Sequence, residues 1–203
     1  MIRDYALATS GLLSSKIGGP SVRPYQPEGV WEMVGMQESD TRNYKRDSGE
    51  KLYRRSVYSF WKRMAPPATM DIFNAPSREA CTIKRERTNT PLQALATMND
   101  PQFVEAARKL AERSMKECTG SDADRLNWIA QELLLRPLRE EEKAIVQSTL
   151  AELKEHYAAS KDDAEALLKV GETPVVGKVE PVQLAAYTMV VNQMMNLDEV
   201  LNK

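Results

Sequence analysis

The second half of the chain is dominated by apolar residues recurring every three or four positions, the period of a helix with one buried face. Thr90 followed by Pro91 opens the first of these helices, because a threonine hydroxyl caps free N–H groups and proline in the first turn forfeits no hydrogen bond. Asn99-Asp100-Pro101 repeats the signal, so two helices stand in tandem at a sharp corner. Ser121 to Asp124 is a capping signature for a third helix, with Leu126, Ile129, Ala130, Leu133 and Leu134 inward and Arg136-Pro137 as its stop. Glu140 to Glu142 then form an acidic first turn, and Ile145, Val146, Leu150, Leu153 and Tyr157 continue the stripe. A shorter helix from Asp162 to Leu168 ends at Gly171, Thr173 to Val179 is a link, and Pro181 starts a last helix through Leu184, Tyr187, Val191, Met194, Met195 and Leu197.

The first half is less regular. Ile2 to Leu13 reads as an amphipathic helix entered part-way through, Ser14 to Pro27 as an irregular connector, and Pro27 as the start of a short helix through Trp31 and Met33. Met36 to Glu50 is polar and looped. Leu52 to Met64 fits a helical stripe through Tyr53, Val57, Phe60, Trp61 and Met64, yet its β-branched and aromatic content favours a short strand ended by Pro66-Pro67. Ile72 to Pro76 and Cys81 to Ile83 are expected as short extended pieces that pair nearby. The expectation is a mainly α protein: a helical domain with a small irregular or short-stranded β element in its first half. Residues 1–90 and 91–203 are expected to pack as one domain.

Composition narrows the function classes. The 203 residues are 42% hydrophobic and 28% charged, a soluble globular balance, with no run near the ~20 apolar residues of a membrane helix. Charge is uneven: residues 1–91 hold 15 Lys/Arg and 10 Asp/Glu, the remainder 13 and 19. Between Arg42 and Arg63, eight cations alternate with Tyr44, Tyr53, Tyr58, Phe60 and Trp61, a pattern suited to phosphates, bases or sugars but more commonly one of packed aromatics with arginines paired elsewhere. A net charge of −1 and the acidic second half argue against nucleic acid.

Candidate chemistry is sparse. Cys81 and Cys118 have no metal-ligating neighbours and read as free, packed thiols, a disulfide being the alternative. His156 sits on a polar helix, where it reads as a solvated residue rather than a catalytic base, and no cluster has metal-ligand spacing. Gly18-Gly19 beside Ser21 offers backbone N–H groups to an anion but lacks the context of a phosphate loop. Asp71, Glu79 and Glu86 are the carboxylates available for a glycosidic pair. The constellation that stands out is Arg78, Glu79, Arg85, Glu86, Arg87, Asn89 and Arg108, with Tyr25, Tyr58 and Trp61 as aromatic companions. Guanidinium forks bind carboxylates, sulfates and phosphates bidentately, and the helix start at Thr90 adds free N–H groups.

The run Arg87 to Leu95, with Asn99 to Arg108 after it, closely resembles the planctomycete-specific C-terminal domain of unknown function 1553. Lys16 to Val22, Leu52 to Tyr58 with Trp61-Lys62-Arg63, and Asn196 to Glu199 resemble it too. The resemblance implies a piece of a larger exported protein, in which this domain follows another uncharacterised domain and a cytochrome c domain. It implies no established activity. Haem would belong to that separate upstream domain, since neither cysteine here lies in a Cys-x-x-Cys-His run. Two readings follow. In the first, the chain is a non-catalytic module packed on the preceding domains, with its arginines in buried ion pairs, so that Arg87→Ala costs about 3–5 kcal/mol. In the second, it is an enzyme or binder for an anionic or sulfated polysaccharide, with the arginines facing a cleft; the family's association with sulfatase genes points the same way.

Overall fold

The computed structural model describes residues 1–39, 41–77, 79–177 and 179–202, and among these it is mainly helical. In chain order the helices are α1 (Ile2–Ser10), α2 (Val30–Val34), α3 (Ala68–Ile72), α4 (Pro91–Asn99), α5 (Pro101–Glu117), α6 (Asp122–Leu134), α7 (Glu140–Ala159), α8 (Lys161–Leu168), α9 (Pro181–Met195) and α10 (Asp198–Leu201). None of them is long and apolar enough to cross a membrane.

The tandem helices form where the sequence places them. Thr90 accepts from the Gln93 amide while the Gln93 side chain accepts from the Thr90 N–H, and Asp100 caps α5 through the Gln102 N–H. Ser121 and Asp124 cap α6 reciprocally. The core lies where α9 packs against α5, α7 and α8, with α1 laid along α5. Ala106, Ala107 and Ala111 on α5 and Ala185 and Ala186 on α9 are fully buried, and side chains this short let helices approach closely. Phe103, Leu110, Ile129, Leu133, Leu150, Tyr187 and Val191 fill the space between.

Several local expectations are corrected. Leu52–Met64 is no strand: two 3-10 turns, Gly49–Tyr53 and Ser56–Tyr58, occupy its first part, and only isolated bridges occur at Ser14–Arg54, Val22–Ser59 and Lys62–Ala65. Its backbone acceptors are used one at a time, Tyr53 O by the Ser14 N–H and Tyr58 O by the Val22 N–H, so no ladder develops. Ile72 ends helix α3, and the region of Cys81 to Ile83 is an exposed loop rather than a paired extension. Ile145 is 67% exposed, leaving Val146, Leu150, Leu153 and Tyr157 as the inward stripe of α7. The last helix stops at Met195, Leu197 is exposed, and α10 starts afresh behind it.

α4 is inverted relative to an ordinary amphipathic helix. Gln93 and Thr97 are buried, whereas Leu92 and Leu95 are 57% and 60% exposed and Met98 is 37% exposed. The inward polar groups are satisfied: Gln93 Nε2 donates to Ile72 O and Thr88 Oγ1, and Thr97 Oγ1 bonds the Asn196 amide oxygen at 2.9 Å.

Candidate functional site

Three arginine-centred assemblies account for most of the buried charge. The first starts on α1, where Arg3 lies one turn before Leu7 and so shares its inward face. Its guanidinium donates to Leu52 O at 2.6 Å, Arg54 O at 2.7 Å and Gln102 Oε1, and it pairs with Asp4 at 3.3 Å. Asp4 in turn accepts from the Ser56 N–H and hydroxyl. Burial lowers the Arg3 pKa from its ordinary value, and Asp4 opposes that shift. These bonds tie the irregular first half to α1 and α5.

The second is Arg54. It donates to Gly18 O and Pro20 O and stacks on the Tyr58 ring at 3.8 Å, while the Gly18 N–H donates to the Tyr58 hydroxyl at 2.8 Å. Gly18 and Gly19 adopt positive φ to bring those carbonyls inward. The glycine pair therefore helps wrap a guanidinium with carbonyl oxygens, in keeping with its lack of phosphate-loop context. The basic, aromatic stretch resolves in the same way: Arg46 lies over Tyr25, Arg23 over Phe60 and Lys62 over Trp31, whose ring meets Tyr44 and Phe60.

The third centres on Glu105 and Arg108 in α5. Glu105 is fully buried and accepts from the Tyr25 and Tyr53 hydroxyls, at 3.1 and 2.9 Å, and from the N–H groups of Glu172 and Thr173. Arg108 pairs with Glu112 at 2.8 Å and donates to Thr173 O at 2.6 Å. Gly171, with φ +94°, lies so close that a Cβ would run into the Glu105 carboxylate. Burial, and then Glu105 itself, pushes both tyrosine hydroxyls above their ordinary pKa. All these groups join α5 to the first half and to the loop before α9, and Tyr25 is thereby placed in the interior network.

The remaining arginines are elsewhere. Arg78 lies outside the described residues. Arg85, Glu86, Arg87 and Asn89 are exposed; Arg87 donates to Asn202 O and Asn89 to Asp198. Glu79 pairs with Arg63 at the surface. The expectation that Arg85 and Arg87 sit in buried ion pairs is thus corrected: among the described residues neither meets a carboxylate within ion-pair distance, because the segment carrying them stays outside the core. Among the described members of that set, Arg108 alone has buried acidic mates.

Arg85 instead stands between two adjoining hollows of about 290 and 340 Å³. Met1, Ile2 and Phe73 border both; Lys84, Glu86, Arg87 and Leu201 are among the other residues of the first, and Arg3, Asp4, Val57, Trp61 and Met70 among those of the second. Tyr58 and Trp61 do not converge, Tyr58 being held under Arg54. Cys81 is free and exposed rather than packed, Cys118 is free and half-buried, and His156 is exposed on α7. Arg3, Arg54 and Glu105 were not singled out by spacing, although the register of Arg3 with Leu7 and the place of Glu105 inside an apolar run are signals of burial.

No match is found among curated proteins or among solved structures. One family does match, over residues 1–150, a span that includes Arg3, Arg54, Glu105 and Arg108 of the assemblies just described. The chain belongs to PSD1, a family of proteins of unknown function (DUF1553).

Proposed function

We propose that the chain is a non-catalytic helical module of a larger, exported, cytochrome c-associated protein, and that its two halves act as one rigid body docked on the domains that precede it. The observation that carries this reading is the inverted helix α4, which directs Leu92, Leu95 and Met98 outward while burying Gln93 and Thr97. A row of apolar side chains left uncovered by its own chain is a surface for another protein. The buried ionisable groups support the same reading, since Arg3, Glu105 and Arg108 are used in links between elements. Mixed with the separately expressed preceding domains of its parent, the chain is expected to form a complex in sedimentation velocity, and Leu92→Asp with Leu95→Asp to abolish it. Absence of any complex for the unaltered chain would remove this reading.

A second reading, binding of an anionic or sulfated polysaccharide, draws on Arg85 and Arg87 beside an open hollow. Retention on a heparin-type matrix that is lost in Arg85→Glu would favour it.

A further inference from the structure

We propose that the groove at the start of α1 binds an acidic, apolar polypeptide segment, one that inserts an aliphatic side chain between Ile2 and Phe73 and sets flanking carboxylates on Arg85 and Arg87. The inference rests on the docking reading above and names the chemistry of one contact within it.

Three observations lead to it. First, the two hollows share Met1, Ile2, Phe73 and Arg85, so they form one continuous groove, each part near the lower end of the ~300–1,000 Å³ typical of binding sites. Secondly, charge on the rim is unbalanced. Lys84, Arg85 and Arg87 stand against Glu86, while Arg3 and Asp4 in the second hollow pair with each other, and none of Lys84, Arg85 and Arg87 has a carboxylate partner among the described residues. Thirdly, the side-chain amides of the wall are already used, Asn202 Nδ2 by Asp198 among them. Gln93 Nε2 is bonded to Ile72 O and Thr88 Oγ1, and Asn74 Nδ2 to Thr88 Oγ1.

The occupant must therefore supply negative charge and apolar surface but few hydroxyl groups. A sugar polymer offers the reverse ratio, with many hydroxyls needing partners and apolar faces that stack on flat rings. A protein segment with leucine-like side chains between aspartates or glutamates fits on both counts, and arginine's planar fork matches a carboxylate in two parallel bonds.

A labelled peptide alternating leucine with glutamate is the probe, measured by fluorescence anisotropy against the same peptide with lysine for glutamate and against a sulfated disaccharide. Saturable binding of the acidic peptide alone is expected, weakened at least about tenfold by Arg85→Glu with Arg87→Glu and by raising salt, which screens exposed charge. Both arginines are exposed, so the double variant is expected to keep its melting temperature, separating loss of binding from loss of fold. No binding of the acidic peptide, equal binding by the double variant, or preference for the disaccharide would each overturn the proposal. A complex with the preceding domains that persists in the double variant would sink this contact while leaving the docking reading intact.

Discussion

Glu105 and Arg87 show how differently two charged residues of one sequence stretch can act. Glu105 receives hydrogen bonds from two tyrosines and two backbone amides inside the protein, so its removal leaves several buried donors and Arg108 undercompensated. Glu105→Ala is expected to lower stability by about 3–5 kcal/mol, roughly 10 °C in melting temperature for a chain of this size. Arg87 has one surface bond to Asn202 O. Arg87→Ala is accordingly expected to fall within about 0.5 kcal/mol of the parent, the opposite of what its place before a capped helix suggests. Thermal melts of the two variants side by side check both. The residue types were legible in the sequence; the buried member of the pair was not, because a glutamate is stable in an interior only when distant segments bring donors to it.

At the scale of elements, helix termini follow the sequence closely because caps are local. Thr90 with Gln93, Asp100 with Gln102, and Ser121 with Asp124 are contacts across two or three residues and need no tertiary partner. α4 depends on its cap more than its neighbours do, since its inward face is polar and its leucines face outward. Thr90→Ala is expected to cost about 1 kcal/mol, seen as a lower urea midpoint with an unchanged slope. Leu52–Met64 shows the converse. Its alternation suits a strand, but its carbonyls are taken by Arg3 and by the single N–H groups of Ser14 and Val22 on either side of the glycine pair. A strand needs a continuous partner, and the fold supplies isolated donors instead.

For the whole molecule, acid is the informative variable. Hydrogen bonds from Arg136 hold the Glu142 carboxyl down to about 2 from an ordinary 4.5, and the same arginine lowers Glu199. A depressed carboxyl stabilises the fold above its unfolded value, and that share is lost as pH falls from about 4.5 toward 2. Asp100, raised by burial, works in the other direction. Glu142→Gln is therefore expected to lower the melting temperature at neutral pH and to converge with the unaltered protein near pH 2; a difference that persisted there would count against the Arg136 pair as its source. The helical class, the starts of α4, α5, α6, α7 and α9 and the inward stripes of α6 and α9 were determined by the sequence alone, because capping and amphipathic periodicity act over a few residues. Which arginines are buried, which face of α4 meets solvent, and whether the basic rim stands over a groove were decided only by tertiary structure, because each depends on donors and apolar surface from segments up to about a hundred positions away, as the bond from Arg3 to Gln102 shows.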